Sequence, residues 1–384
     1  MSKKDDMEVD QTEENLKNDI FASKDAYTRY TSAAAIANKV LTEVVKACKA
    51  GAVIYDITSA GDKMINDAAN AYFGNKKIER GVAFPTCVSV DNCLGHYSPF
   101  PTDKTALKEG DLVKIDLGVH LDGYIAVVAH SLVVNNGTDA ITGRKADVIC
   151  AAHYAAEAAH RLIKAGNKNT QVTEAIGQVA KAFNVNPMEG VLSHQLKRHV
   201  IDGNNVIMSK PLPDQKAEEF TFEEGQVYAV DIVMSTGEGK SREREVRTTI
   251  FKRSVENQYQ LKMAASRYLY NEVVHKSATL PFSLAGIPDQ GKAKMGITEL
   301  AKHELVLPYP VLFEKAGEYV AQYKFVVAIM KSSTNKLTGH AMPLVTSENK
   351  ITDQALLDLL AQPVGKKKKG AAAPAQDTNA MDTN

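Results

Sequence analysis

The chain has 384 residues, 44% hydrophobic and 24% charged, which is enough apolar surface for one large core or two modest ones. Its 46 basic and 46 acidic side chains cancel, which excludes a whole-molecule field drawing it onto nucleic acid or an anionic membrane and leaves such binding to local patches. Four cysteines (Cys48, Cys87, Cys93, Cys150) are too few and too irregularly spaced for a disulfide frame or a Cys-rich zinc site, and neither a signal-peptide pattern at the acidic Met1–Glu14 nor a membrane-length apolar run is present, so the expected location is cytosol or nucleus.

Over 23–49 the residues Tyr27, Tyr30, Ala34, Ala37, Leu41, Val44 and Cys48 recur at helical spacing, and Gly51 follows as a stop signal. A second helix is predicted with Asp56 as its cap and Ile57, Met64, Ile65, Ala68 and Tyr72 facing inward. Next, Leu112, Lys114 and Asp116 alternate with Val113 and Ile115; a turn containing Gly118 and Gly123 is predicted, and Tyr124–Val134 resumes as a strand, giving a hairpin. Helices are expected over Lys145–Lys164 and over Thr170–Phe183, the latter with Val172, Ile176, Val179 and Phe183 on one face, and strands over Val227–Met234 and Glu245–Phe251. A less regular stretch, 252–317, carries helical patterns near Ala265–His275 and Lys292–Leu305 and reads as an inserted subdomain, before a last strand over Tyr319–Met330. An extension over 333–361 follows. Residues 1–22 and 362–384, the second with the run Lys366–Lys369, have compositions that bury little and are expected to be disordered.

Glu109–Asp116 and Glu224–Asp231 match at glutamate, glycine, two aliphatic positions and the closing aspartate, so the region 23–332 reads as an internal duplication with halves of about 23–140 and 141–332. Helix, helix, then paired strands in each half predicts an α+β domain with helices on an antiparallel sheet and a pseudo-twofold axis. Such an axis brings Asp116 and Asp231 together, the arrangement that two divalent cations ~4 Å apart require. On the repeat alone the plain structural reading, strand aspartates that finish a turn or meet solvent, is the commoner one.

Several segments resemble type 2 methionine aminopeptidases: Gly81–Thr86, Ser89, Asn92, His96–Pro99, Lys114–Gly118 and Gly123–Ala126. Others, Leu192–Lys197, His199–Gly203, Tyr228–Asp231, Ser235–Lys240, Ala301–Leu305 and Val320–Phe325, are more similar to the non-peptidase relatives of those enzymes, the proliferation-associated, ErbB-receptor-binding proteins. The resemblance runs from about residue 25 to about residue 332. It implies the pita-bread fold, with the segment after Phe251 as the type 2 helical insert. The same resemblance implies structured-RNA and ribosome binding, DNA as a further partner class, unidentified protein partners, no membrane, and residence in cytoplasm, nucleus and nucleolus in the service of growth and translation. Receptor binding does not transfer from these residues.

The peptidase's five metal ligands are two aspartates, a histidine and two glutamates. Carried over by resemblance, Asp116 and His194 are present, Val127 stands at the second aspartate, Asp231 at the first glutamate, and Lys324 at the bridging glutamate. A hydrocarbon offers no donor and a cation repels the metal, so the expectation is a pseudoenzyme with no catalytic residue, no metal and no cofactor, whose vestigial site is His96, Asp116, Val127, His194, Asp231 and Lys324. On its strand Lys324 shares a face with Val320, Val326, Ala328 and Met330, while Tyr319, Tyr323, Phe325, Val327 and Ile329 line the other, so a buried lysine seeking Asp116 and Asp231 is expected; a water-facing edge is the alternative. His96 and His194 are structural residues on this reading, or acid–base groups of a metal-free enzyme.

Function then moves to surfaces. Candidate nucleic-acid contacts are Lys240, Arg242, Arg244, Arg247, Lys252 and Arg253, diluted by Glu243 and Glu245, and the tail lysines Lys366, Lys367, Lys368 and Lys369. Both stretches read equally as solubilising charge. The alternatives to an RNA-binding adapter are an aminopeptidase with a rebuilt or metal-free site and a scaffold that holds nascent N-termini without cutting them.

Overall fold

The computed structural model describes residues 20–21, 25–73, 78–135, 137, 139–211, 218–277 and 279–364. The termini expected to be disordered, and Lys366–Lys369 with them, fall largely outside these. In chain order the main elements are α1 (Ala26–Ala47), α2 (Ile54–Phe73), β1 (Arg80–Val90), β2 (Leu112–Leu121), β3 (Tyr124–Val133), α3 (Gly143–Leu162), α4 (Asn169–Ala182), β4 (Leu192–Leu196), β5 (Val206–Met208) and β6 (Val227–Ser235). They continue with β7 (Ile250–Arg253), α5 (Ala264–Lys276), α6 (Gln290–Lys302), β8 (Val306–Tyr309), β9 (Val320–Met330), β10 (Ser333–Lys336) and α7 (Gln354–Ala361). Among the described residues no helix is long and apolar enough to cross a membrane.

One large antiparallel sheet runs β1-β2-β3-β9-β6-β4-β5, with β10 on β9 and Asn186–Pro187 on β6. Strand alternation sorts its two faces. Ile115 and Leu117 pack with Ala37 and Leu41 of α1, and Tyr228, Val230, Tyr323 and Phe325 pack with Ala155 and Ile176 of α3 and α4. Ala229, Val326 and Ala328 lie on the opposite side, in a cluster with Phe84, Val127 and Leu280. Helices therefore cover one face and leave the other for the site.

The seam between the halves, β3 against β9, has a single regular ladder pair, Lys324↔Ala129. Two hydroxyls splice the rest: Ser131 Oγ accepts from Gln322 N (2.7 Å) and donates to Gln322 O (2.8 Å), while Thr338 Oγ1 accepts from Val326 N and donates to Val127 O, each at 2.8 Å. The residues after β10 thus close the seam, a role that composition did not announce.

Three local expectations change. Asp56 lies in the first turn of α2 instead of capping it, because Ile54 N is already satisfied by Thr105 O (2.9 Å) beside the Val53↔Ala106 bridge. Gly118 is within β2 and makes no turn: β1 bulges around Phe84, and a Cβ at 118 would lie 2.9 Å from Phe84 N and 3.0 Å from Val127 Cγ1. The turn is Asp122–Gly123, with φ of 55° and 79°. Finally, Glu245–Phe251 is not one strand; the ladder covers only Ile250–Arg253, which pairs with β8 to tie off the inserted helices α5 and α6.

His120 and His130 are buried, and burial depresses their pKa values to about 4 and about 3, with His199 adding to the first effect and His340 and His153 to the second. The unfolded chain takes up these protons near pH 6.5 and the folded chain does so later, so the stabilisation is present above pH 6.5 and is lost as pH falls toward 4. Going from pH 7 to pH 5 is expected to cost about 2 kcal/mol for each histidine. Urea midpoints at the two pH values check this, and His130→Gln should flatten the difference.

Candidate functional site

Neighbouring strands in register place directly opposed side chains on one face. Asp116 opposes Ala129, Ala129 opposes Lys324, and Lys324 opposes Asp231. This transverse row across β2, β3, β9 and β6 brings a lysine and two aspartates from both halves to the helix-free side. Lys324 Nζ lies 2.5 Å from Asp116 Oδ2 and 3.0 Å from Asp231 Oδ2, with its side chain 14% exposed. Gln322, two residues back on the same face, donates Nε2 to Asp231 Oδ1 at 2.9 Å. The Phe84 ring lies 5.4 Å from the ammonium.

The electrostatics follow from this crowding. Burial pulls the Lys324 pKa down, but Asp116 and Asp231 outweigh it and hold the ammonium above the ordinary lysine range. Burial, with Asp231 adding to it, lifts Asp116 to about 6 against the pull of Lys324. Asp116 Oδ1 is buried with no hydrogen-bond partner among the described residues.

His96, Asp116, Val127, His194, Asp231 and Lys324 all line one cavity of about 310 Å³, together with Phe84, Ile201, Ala229 and Tyr309. The backbone of His96 is left-handed at φ 66°; its Nδ1 lies 3.0 Å from Pro310 O and its ring meets Tyr309 edge-on, centroids 5.4 Å apart. Burial depresses its pKa to about 4, so it is neutral at physiological pH. His194 Nδ1 lies 3.2 Å from Gly203 O. Among the described residues no group of three or more His, Cys, Asp or Glu is arranged to hold a metal ion. Sequence reasoning did not single out Gln322, the inserted subdomain's Tyr309, the pair Lys210–Glu189 (2.8 Å), or Asp202 as the partner of Lys252 (2.6 Å). The parity of Gln322 with Lys324 on one strand was the available signal for the first; the others depend on long-range folding.

The basic stretch is largely engaged within the protein. Arg242 pairs with Glu238 (3.2 Å), Arg244 lies over Phe313, Arg247 lies over Phe100 and donates to Lys294 O, Lys252 is held by Asp202, and Arg253 is not free either. Lys240 is exposed.

Residues 28–252 match metallopeptidase family M24. The chain is similar to ERBB-3 binding protein 1 of Solanum tuberosum, 46% identical over 91% of this chain and 92% of that protein. It is also similar to the curved DNA-binding protein of Schizosaccharomyces pombe, 38% identical over 92% of this chain and 95% of that protein. Among solved structures, a thermophilic Arx1 superposes with a TM-score of 0.84 at 31% identity, covering 90% of this chain and 100% of that one.

Proposed function

We propose, from the premise that the chain belongs to metallopeptidase family M24 and within it to the proliferation-associated, ERBB-3-binding-protein group, that it is a non-catalytic adapter which binds structured RNA and ribosomes. The observation that carries the non-catalytic half is the ammonium of Lys324 between Asp116 and Asp231. A pair of divalent cations does not fit this donor set. Val127 contributes hydrocarbon where a carboxylate is needed, and Lys324 contributes three donors and no lone pair. A unit charge at 4 Å is worth ~4 kcal/mol at an effective dielectric of 20, and each cation would bring two charges against the ammonium. The lysine instead offsets one of the two carboxylate charges and ties the two halves of the sheet.

The RNA half is supported by the family resemblance and by a relative named for binding curved DNA, another phosphate polymer. One preparation tests both halves through assays of peptide turnover and ribosome co-sedimentation. No release of amino-terminal methionine is expected, and pelleting with ribosomes should weaken steeply as salt rises, as counterion release demands. Turnover abolished by His194→Ala or His96→Ala would instead establish a peptidase with a rebuilt or metal-free site. A second reading comes from the cavity itself, which keeps apolar walls at Phe84, Val127 and Ile201: it would hold a peptide N-terminus without cutting it, and would appear as peptide binding without turnover.

A further inference from the structure

The cavity beside the Asp116, Lys324 and Asp231 row presents fixed acceptors that its own donors leave unmet. A backbone carbonyl only accepts, so the proton in each histidine contact belongs to the ring: His96 Nδ1–H donates to Pro310 O (3.0 Å) and His194 Nδ1–H donates to Gly203 O (3.2 Å). A neutral imidazole held this way carries its lone pair on Nε2, and both residues line the cavity. Asp116, 5% exposed, adds Oδ1, which is buried with no hydrogen-bond partner among the described residues. On the donor side, Lys324 gives N–H groups to Asp116 and Asp231 and lies over the Phe84 ring. Gln322 lies beside Asp116 as well, but its Nε2 is given to Asp231 Oδ1 (2.9 Å).

Charge points the same way. One ammonium faces two carboxylates in the row, which leaves one negative charge over. Glu189 and Asp202, the other acids of the lining, are held by Lys210 (2.8 Å) and Lys252 (2.6 Å) and supply no balance to the row. Around these groups Val127, Ile201, Val233 and Leu312 make the walls hydrocarbon. A buried carboxylate oxygen without a donor costs free energy that an incoming N–H recovers, and apolar walls favour a ligand that is hydrocarbon behind its charged end.

We propose that this cavity binds a free aliphatic amine, with the primary ammonium on Asp116 Oδ1 and the hydrocarbon stem along the apolar walls. The proposal rests on the metal-free reading of the site given above and departs from the capture of a peptide N-terminus. An α-ammonium brings its own carbonyl acceptor beside it into a lining already rich in acceptors, whereas an alkyl ammonium offers three donors and needs none in return.

The test is an NMR titration of the full chain with labelled isoleucine and valine methyl groups, using n-butylamine as the probe and n-butanol, butyrate and a methionine-initiated tripeptide as comparisons. Metal content is measured on the same preparation. Butylamine should shift the Val127 and Ile201 methyl signals saturably, and butanol and butyrate, which have the same stem, should bind about tenfold or more weakly, as expected for loss of a charge-assisted hydrogen bond. Asp116→Asn should weaken butylamine by a similar factor. Ile201→Trp, which crowds the cavity from outside the row, serves if that variant fails to fold, with Val127 as the reporter. No saturable shift in the wild type, equal binding of the three butyl compounds, or unchanged butylamine affinity in the folded variant overturns the proposal and leaves the metal-free reading standing. Tighter binding of the tripeptide than of butylamine overturns it in favour of a peptide N-terminus. Stoichiometric divalent metal in the wild-type protein overturns both.

Discussion

Lys324→Ala is expected to destabilise the protein by about 3–5 kcal/mol, the cost of removing one partner from a buried ion pair. Truncation removes the ammonium 2.5 Å and 3.0 Å from two carboxylates and leaves Asp116 and Asp231 facing each other across β3 and β9. The penalty arises from uncompensated buried charge more than from the lost attraction, so its relief is diagnostic. Lys324→Met keeps most of the volume and should be nearly as damaging alone, while Lys324→Met with Asp116→Asn should recover much of the loss, because buried ion pairs replaced on both sides often cost little. Urea midpoints at neutral pH measure all three. A change below about 1 kcal/mol for Lys324→Ala, the size seen for exposed pairs, would remove the basis for treating this lysine as the replacement of the metals.

On the proposed reading, supplying carboxylates at positions 127 and 324 should create a metal site. In Val127→Asp/Lys324→Glu the cavity would present carboxylates at 116, 127, 231 and 324 with His194 beside them, oxygen and imidazole donors that suit manganese, cobalt or zinc. Without cations this variant should be markedly less stable than the wild type, since like charges crowd a buried site. With a divalent cation at one hundred times its Kd, about 2.7 kcal/mol should return by mass action. Calorimetric melting with and without manganese checks the difference: the wild-type transition should not move and that of the variant should rise. A wild-type protein that itself binds cobalt, manganese or zinc stoichiometrically would contradict the proposed loss of function.

Much of the positional information was local and therefore legible. The helical stripe with Ala37, Leu41 and Val44 packs as its spacing implied, and the alternation around Lys324 put Phe325 and Val327 toward the helices and Lys324 toward the cavity. Where local pattern misled, a non-local contact had taken over: Gly118 looked like a turn residue but is needed where β1 bulges against β2, and Glu245–Thr249 reads as strand but finds no ladder partner among the described residues.

From its residues alone, the chain determined the class of its elements, the duplication, and the chemical identity of each side chain at the positions that the resemblance matches to metal ligands, because periodicity and residue type are properties of short segments. Tertiary structure alone decided that Asp116, Lys324 and Asp231 lie in one row, that Ser131 and Thr338 splice the seam, and that the Arg242–Lys252 cations are mostly occupied. Those relations depend on register and packing between segments up to about two hundred residues apart, and one residue of slip would turn Lys324 to the opposite face of the sheet.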